Sequence, residues 1–470
     1  MVHLPPRIVI AGLRGGAGKT FLTVGITSLL FDRGYTVAPF KKGPDFIDTA
    51  WISMSSGNQC FNLDMFLMTA DQIKRSFIIH SSKADIAVIE GNRGLYDGLD
   101  IDGSSSTANL AKLLGAAVVI VVDVTMATRT VAAMVKGCQI FDTDVNIKGV
   151  IINRVAGPRQ KALISGAIEQ YCGIPVIGSL PKLRKNPFPE RHMGLVPFQE
   201  RLHAEKAIAT VRSVVDDCVD LDALWKVAHD ARPLKRESDL DEKDESPECY
   251  DEPLRIGVIR DQAFWFYYPE NLKQLQKMGA ILIEINSIRD ADFPDVDGLY
   301  IGGGFPETQA HALAENKEFR DTLRKKIEAG LPVYAECGGL LYLGECLITE
   351  NRKYPMVGVL PFQFVMEKKP QGHGYTILEV TRPNPYFRTG KIIKGHEFHY
   401  SRAVATETGG GKTDFVFTVR RGNGIDGHND GFCKKNLLAT YTHIHAAGDS
   451  GWAESFIKRV RKVRSNISIV

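Results

Sequence analysis

Gly12-Leu-Arg-Gly-Gly-Ala-Gly-Lys-Thr20 follows the apolar run Ile8-Val9-Ile10-Ala11 and leads into the helix-like stretch Phe21 to Leu30. A buried strand that breaks into glycines and ends in Gly-Lys-Thr before a helix brings backbone N–H groups together around phosphates. The expectation is a phosphate-binding loop in which Gly12, Gly15, Gly16 and Gly18 let the backbone approach the nucleotide. A glycine-rich turn without a nucleotide is the bland alternative, and the Lys-Thr pair in strand-loop-helix context argues for ATP.

An ordinary loop of this kind reads Gly-x-x-x-x-Gly-Lys-Ser/Thr, and the place of its first glycine here holds Leu13. Arg14-Gly-Gly-Ala-Gly-Lys-Thr20 resembles the variant loop of the partition and nitrogenase-iron ATPases, in which a lysine occupies the place of Arg14. Lys19 is expected to bridge the β- and γ-phosphates and Thr20 to hold Mg²⁺.

Outward from the loop, short apolar runs alternate with helical stretches: 8–11, 36–40, 85–89, 117–122, 149–152 and 174–177. Alternation of this kind makes an α/β domain, a parallel sheet covered on both faces with its ligands at the carboxyl ends of the strands. The polar residues after those ends are therefore the candidates. Asp45 and Asp48 follow the second run, Asp45 to serve Mg²⁺ and Asp48 to meet the acceptor, with a solvated turn as the alternative. Glu90 follows Ala87-Val88-Ile89, the position of a second Mg²⁺ carboxylate in phosphate-loop enzymes. Asp123 ends the next run, to brace the active-site loops or to make a structural hydrogen bond. Asn153 offers an amide that matches the donor and acceptor pattern of adenine.

The bulk numbers bound the rest. At 470 residues the chain exceeds one ordinary core. A formal net charge of +3, with no basic stripe interleaved with aromatics, argues against nucleic acid and an acidic membrane surface. Cysteines at 60, 138, 172, 218, 249, 337, 346 and 433 include no Cys-x-x-Cys pair, so neither a zinc ribbon nor a disulfide framework is expected. The longest apolar run, 114–122, is half a membrane span and the N-terminus has no signal pattern; a cytoplasmic protein is the expectation.

The first half resembles the dethiobiotin-synthetase-like domain of the cobyrinic acid a,c-diamide synthase family. The motifs are Gly43-Pro-Asp-Phe-Ile-Asp48, Asn62-Leu-Asp64, Glu90-Gly91 with Gly94-Leu-Tyr-Asp-Gly98, 103–108, Asn153-Arg-Val155 and Pro189-Glu-Arg-His-Met-Gly-Leu195. Related cobyric acid synthases lack the Gly-Pro-Asp-Phe-Ile-Asp pattern. Two departures are Arg-Gly-Gly-Ala in the loop, where a Ser-Gly pair is commoner, and Asn92-Arg93 in place of small apolar residues. The resemblance implies that Asp48, Asp64 and Asp97 orient an acetate side chain of the acceptor or assist proton removal from ammonia.

The run 237–252 holds nine acidic residues and one lysine, the composition of a solvated linker. Residues 1–231 are thus expected to form an ATP- and tetrapyrrole-binding synthetase domain, 232–252 a linker and 253–470 a second domain. There Val333-Tyr-Ala-Glu-Cys337-Gly-Gly-Leu340 has the form of a nucleophile elbow, a strand delivering a thiol to a helix N-terminus. A free thiol with a pKa of about 8.5 is mostly protonated at neutral pH, so a histidine and the helix terminus are expected to raise its thiolate fraction. His443 and His445 share one strand face, and their spacing does not separate them.

This half resembles class I glutamine amidotransferases, whose catalytic histidine matches His443. Many of these carry a glutamate two residues later, where this chain has His445; a Cys337–His443 dyad is the expectation. The Gly302-Gly-Gly-Phe-Pro-Glu307 loop resembles the oxyanion element, so that Gly303, Gly304 and Gly338 stabilise the tetrahedral intermediate. Phe264 to Tyr268 are aromatics suited to a flat macrocycle or, more commonly, to a core or interface. His396, Glu397 and His399 lack a further ligand nearby, which favours a structural role over a metal site.

Together these resemblances imply a glutamine-hydrolysing ligase using ATP, Mg²⁺, glutamine and a corrin-type tetrapyrrole, and they allow a homodimer. The family's acceptor is cobyrinic acid; nickel sirohydrochlorin and hydrogenobyrinic acid are the alternative acceptors. The alternative of another class is a partition-type ATPase switch acting through Arg14, for which Cys337 and His443 have no use.

Overall fold

The computed structural model describes residues 4–183, 188, 201–234, 252–406 and 414–467. These form two compact units, one up to 234 and one from 252 onward. The expected linker and the 189–195 motif fall largely outside the described residues. Arg232, at the start of that linker range, belongs to the first unit: its N–H donates to the Gly115 carbonyl at 2.7 Å.

The first unit is a seven-stranded sheet, entirely parallel. In spatial order its strands are Phe61–Leu63, Val37–Lys42, Ile86–Glu90, Arg7–Gly12, Ala117–Asp123, Ile147–Val155 and Val176–Pro181. The strand that feeds the phosphate loop is thus central, and Ile86–Glu90 and Ala117–Asp123 flank it. The strands are apolar runs because helices cover both faces; Ile8, Val9, Ile10, Val88, Ile89 and Ile120 have no exposed surface. Six strands match the apolar runs of the sequence. The seventh, Phe61–Leu63, spans three residues, too few to produce a periodic signal.

The second unit contains a nine-stranded mixed sheet. Ala280–Ile285, Leu254–Ile259, Gly298–Ile301, Val333–Glu336 and Leu437–Thr440 lie side by side and parallel. Asn429–Lys434, Phe415–Arg421, Gly372–Val380 and Ile392–His399 continue the sheet antiparallel. A smaller four-stranded sheet adds Cys346–Thr349, Arg352–Pro355, Phe362–Met366 and Ser401–Ala405. The C-terminal helix Ser450–Ile467 buries Trp452, Phe456 and Val460 against the parallel half. Gly298 permits that contact, since a Cβ there would come within 2.7 Å of Val460.

Candidate active site

Both candidate centres lie at the carboxyl ends of parallel strands, where strand-to-loop transitions expose side chains at one edge of the sheet. In the first unit the helix Lys19–Asp32 starts after Gly18, whose φ of 100° lies in the left-handed region that only glycine occupies without strain. A Cβ on Gly15 or Gly16 would meet nothing within 4 Å, so the loop backbone is open to a ligand. Lys19 Nζ lies 2.8 Å from the Arg93 carbonyl, and burial, then Lys41, lowers its pKa.

Beside the loop, charged groups converge. Thr20 Oγ1 donates to Glu90 Oε1 at 2.7 Å, and Lys41 Nζ donates to the same oxygen at 2.7 Å and to Asp48 Oδ2 at 2.5 Å. Lys41 is buried; burial opposes its charge, but Asp48 and Glu90 outweigh that and raise its pKa. Burial pushes Glu90 up to about 7 even against Lys41. The remaining Glu90 oxygen, Oε2, is buried and makes no hydrogen bond. An orphaned carboxylate oxygen beside a threonine hydroxyl and a second carboxylate is a donor set of hard oxygens, which fits Mg²⁺.

The carboxylate tied to that cluster is Asp48, which differs from the expected pairing of Asp45 with Mg²⁺. Asp45 Oδ1 accepts the N–H groups of Ile47 and Asp48 at 2.9 and 2.8 Å, capping the helix Ile47–Ser56. Burial and Asp48 raise Asp45 to about 6.

Among the groups expected at the acceptor, Asp97 is exposed and accepts from Gly94 N at 2.7 Å. Asp64 is fully buried, its Oδ1 accepting from Phe66 N and Leu67 N. Asn153 braces the loop: Nδ2 donates to the Ala17 carbonyl at 2.9 Å and Oδ1 accepts from Arg154 N. Arg14 and Arg154 both meet Asp123 Oδ2 at 2.7 Å. Against burial, which alone would raise it, hydrogen bonds from Thr125 and Arg14 hold Asp123 near 2. Asp123 is therefore a hub linking the phosphate loop to the strand end after Asn153.

In the second unit Cys337 sits between the strand Val333–Glu336 and the helix Gly338–Leu343 with φ 47° and ψ −99°. For a non-glycine residue that conformation is strained by about 1–3 kcal/mol, a price met at functional sites. Cys337 N donates to the Thr440 carbonyl at 2.8 Å and Gly339 N to that of Gly302 at 3.1 Å. These bonds lock the elbow between the strand leading to His443 and the glycine loop. A Cβ on Gly338 would lie 2.9 Å from Gly304 N, and one on Gly303 would lie 2.4 Å from His443 Cε1. Cys337, His443, Gly303, Gly304 and Gly338 are thus gathered in one place.

Electrostatics there corrects one expectation. Burial, then the Glu307 carboxylate, pushes the Cys337 pKa upward, opposite to the expected rise in thiolate. Burial disfavours the thiolate, so a nucleophile in this setting needs a base to take its proton as it attacks.

The aromatic stretch supports this loop. Tyr267 OH accepts from Gly302 N at 2.8 Å, and Phe266 and Trp265 meet Phe305 edge-on at 4.9 and 6.2 Å. His396 stacks on His443 with centroids 4.9 Å apart, and Glu397 accepts from Asn423 N and Gly424 N. No metal-holding group of three or more His, Cys, Asp or Glu occurs among the described residues. No helix among the described residues is long and apolar enough to cross a membrane.

Comparisons with known proteins bear on both units. Residues 8–196 match the model of the CobQ/CobB/MinD/ParA nucleotide binding domain. Residues 255–451 match the CobB/CobQ-like glutamine amidotransferase domain. Over its full length the chain is 42% identical to the whole of a Magnetococcus marinus protein named cobyrinate a,c-diamide synthase. It is also 42% identical, over 97% of this chain and 98% of the relative, to an Archaeoglobus fulgidus protein of the same name. End-to-end identity at this level, with both domain models in the same order, shows that the chain belongs to the cobyrinate a,c-diamide synthase family, glutamine amidotransferase ligases with a nucleotide-binding domain.

Proposed function

We propose that the chain amidates the a and c acetate carboxylates of cobyrinic acid, using ATP and the amide nitrogen of glutamine. The observation that carries this reading is a Gly-Lys-Thr phosphate loop and a strained Cys elbow in one chain that matches proteins of that name from end to end. A free carboxylate is a poor acyl donor because its leaving group is oxide. Coupling a phosphate site to an ammonia source answers that chemistry.

Backbone N–H groups of Gly15, Gly16 and Gly18 and the Lys19 ammonium hold the triphosphate. Thr20, Asp48 and Glu90 are the residues that would hold Mg²⁺; there the ion would neutralise phosphate charge as it develops. The acceptor carboxylate attacks the γ-phosphorus, ADP departs, and an acyl phosphate results. Ammonia then displaces phosphate to give the amide. Asp97, exposed beside the loop, is suited to receive a proton from the attacking ammonia or to orient the acetate.

Ammonia comes from glutamine. Cys337 Sγ attacks the side-chain carbonyl while His443 takes the thiol proton. Backbone N–H groups of the Gly303–Gly304 loop and Gly338 face the developing oxyanion.

The test is a Cys337→Ala variant assayed with ammonium chloride and with glutamine as nitrogen sources. The reading expects amidation with ammonia within a few-fold of wild type and none with glutamine. Equal loss with both sources, or retained glutamine use, contradicts it.

A further inference from the structure

Glu336 stands immediately before the nucleophile, and its carboxylate lies against the histidine. Oε2 of Glu336 is 3.4 Å from Nδ1 of His443. Both residues are about 1% exposed. The carboxylate is itself held: Oε1 accepts from Ile444 N at 3.1 Å and Oε2 from Tyr300 OH at 3.1 Å. Its partners therefore come from the chain just after His443 and from the strand Gly298–Ile301 beside its own. The ring plane of His443 is fixed on another side by the His396 stack.

The opposite edge of the same ring faces the glycine loop. A Cβ on Gly303 would be 2.4 Å from Cε1 and 3.1 Å from Nε2 of His443. One nitrogen thus meets a buried carboxylate and the other meets the reaction centre, the arrangement in which a carboxylate holds a histidine's tautomer and stabilises the imidazolium.

His445, in the place where many related enzymes carry their glutamate, is engaged elsewhere. Its Nε2 lies 3.6 Å from Glu270 Oε2. Burial lowers His445 to about 3 and raises Glu270 to about 7. Burial thus disfavours charge on both, and Tyr268 packs at 4.4 Å on the His445 ring.

We infer that Glu336 is the positioning residue of the glutaminase site, completing Cys337 and His443 from the strand end before the nucleophile instead of from beyond the histidine. The inference rests on the glutaminase reading of that pair. At 3.4 Å the pair is within ion-pair reach, and catalytic hydrogen bonds are often this long in the absence of substrate. With Nδ1–H held by Glu336, Nε2 accepts the thiol proton as the S–C bond forms on the glutamine amide carbon. The imidazolium returns that proton to the departing nitrogen as the C–N bond breaks, giving ammonia and a glutamyl thioester. Water then cleaves the thioester to glutamate and free thiol.

The experiment is Glu336→Gln in the full chain, with glutamine hydrolysis and thermal unfolding measured beside wild type and Cys337→Ala. The neutral isostere keeps an oxygen that accepts from Ile444 N and turns an amide N–H toward the Tyr300 hydroxyl, which can accept it, but loses the charge that selects the tautomer. The expected result is a fall in kcat of about 10²–10⁴-fold, as when a triad carboxylate becomes its amide. KM for glutamine is expected within about threefold and the unfolding temperature unchanged, because only the histidine's orientation is altered. A merely structural role would move stability and KM together, and that result overturns the inference. So does a Glu336→Gln variant that turns over within about threefold of wild type. Retained glutaminase in Cys337→Ala would instead overturn the underlying reading. If Glu336→Gln fails to fold, histidine ¹⁵N resonances of the wild type, assigned with His443→Gln, decide: protonation at Nδ1 supports the inference, and protonation at Nε2 with a bare Nδ1 overturns it.

Discussion

The ammonium of Lys41 lies 2.7 Å from Oε1 of Glu90, with Asp48 at 2.5 Å on its other side. Lys41 is 2% exposed and Glu90 wholly buried. One lysine therefore pairs with both of the carboxylates proposed as Mg²⁺ ligands and ties them together beside Thr20.

Removing that lysine leaves buried negative charge uncompensated. Breaking a buried pair by deleting one partner costs about 3–5 kcal/mol, so Lys41→Met is expected to lower the unfolding free energy of the first unit by about that amount. Urea unfolding followed by a probe in residues 1–183 reads the change. A midpoint equal to that of wild type would show that the pair contributes nothing.

Burial, and after it the Glu307 carboxylate, pushes the Cys337 thiol pKa upward. Glu307→Gln removes the second influence and leaves the first. Iodoacetamide labelling of Cys337 at pH 7, followed by peptide mass spectrometry, is expected to accelerate several-fold, because the thiolate is the species that reacts. Labelling no faster than in wild type would place the control of the thiol in burial alone.

His445 gives a pH dependence with a defined sign. The folded value near 3 lies below the unfolded value of about 6.5. Between those limits the unfolded chain binds a proton that the folded chain does not, so stability falls as pH drops through that window. Relative to His445→Gln, wild type is expected to lose about 1.4 kcal/mol between pH 7.5 and 5.5. Glu270 and Tyr268, which face the ring, are common to both proteins and cancel in the comparison. A pH-independent difference would contradict a neutral buried His445.

Gly12 to Thr20 and the six long apolar strands were legible because each is a local pattern with a physical cause. Phe61–Leu63 escaped by length. The antiparallel half of the second sheet, from Gly372 to Lys434, lacks the strand-helix alternation that made the parallel half readable. Local spacing also did not distinguish Asp45 from Asp48: both flank one helix start, and only the folded chain shows Asp45 consumed as its cap and Asp48 paired with Lys41. The Cys337 flanks made the strand-to-helix elbow legible, whereas the upward shift of its pKa comes from tertiary burial. Glu336 was hidden for a similar reason. Its contact with His443 joins positions more than a hundred residues apart.

The central claim is the acceptor and its double amidation. Purified protein incubated with Mg-ATP, glutamine and cobyrinic acid, with sirohydrochlorin, nickel sirohydrochlorin and hydrogenobyrinic acid in parallel, is read by mass spectrometry. The account predicts two successive decreases of about one mass unit on cobyrinic acid, each the exchange of a hydroxyl for an amino group in the ATP-coupled ligation. Hydrolysis of glutamine with no change in cobyrinic acid would contradict it.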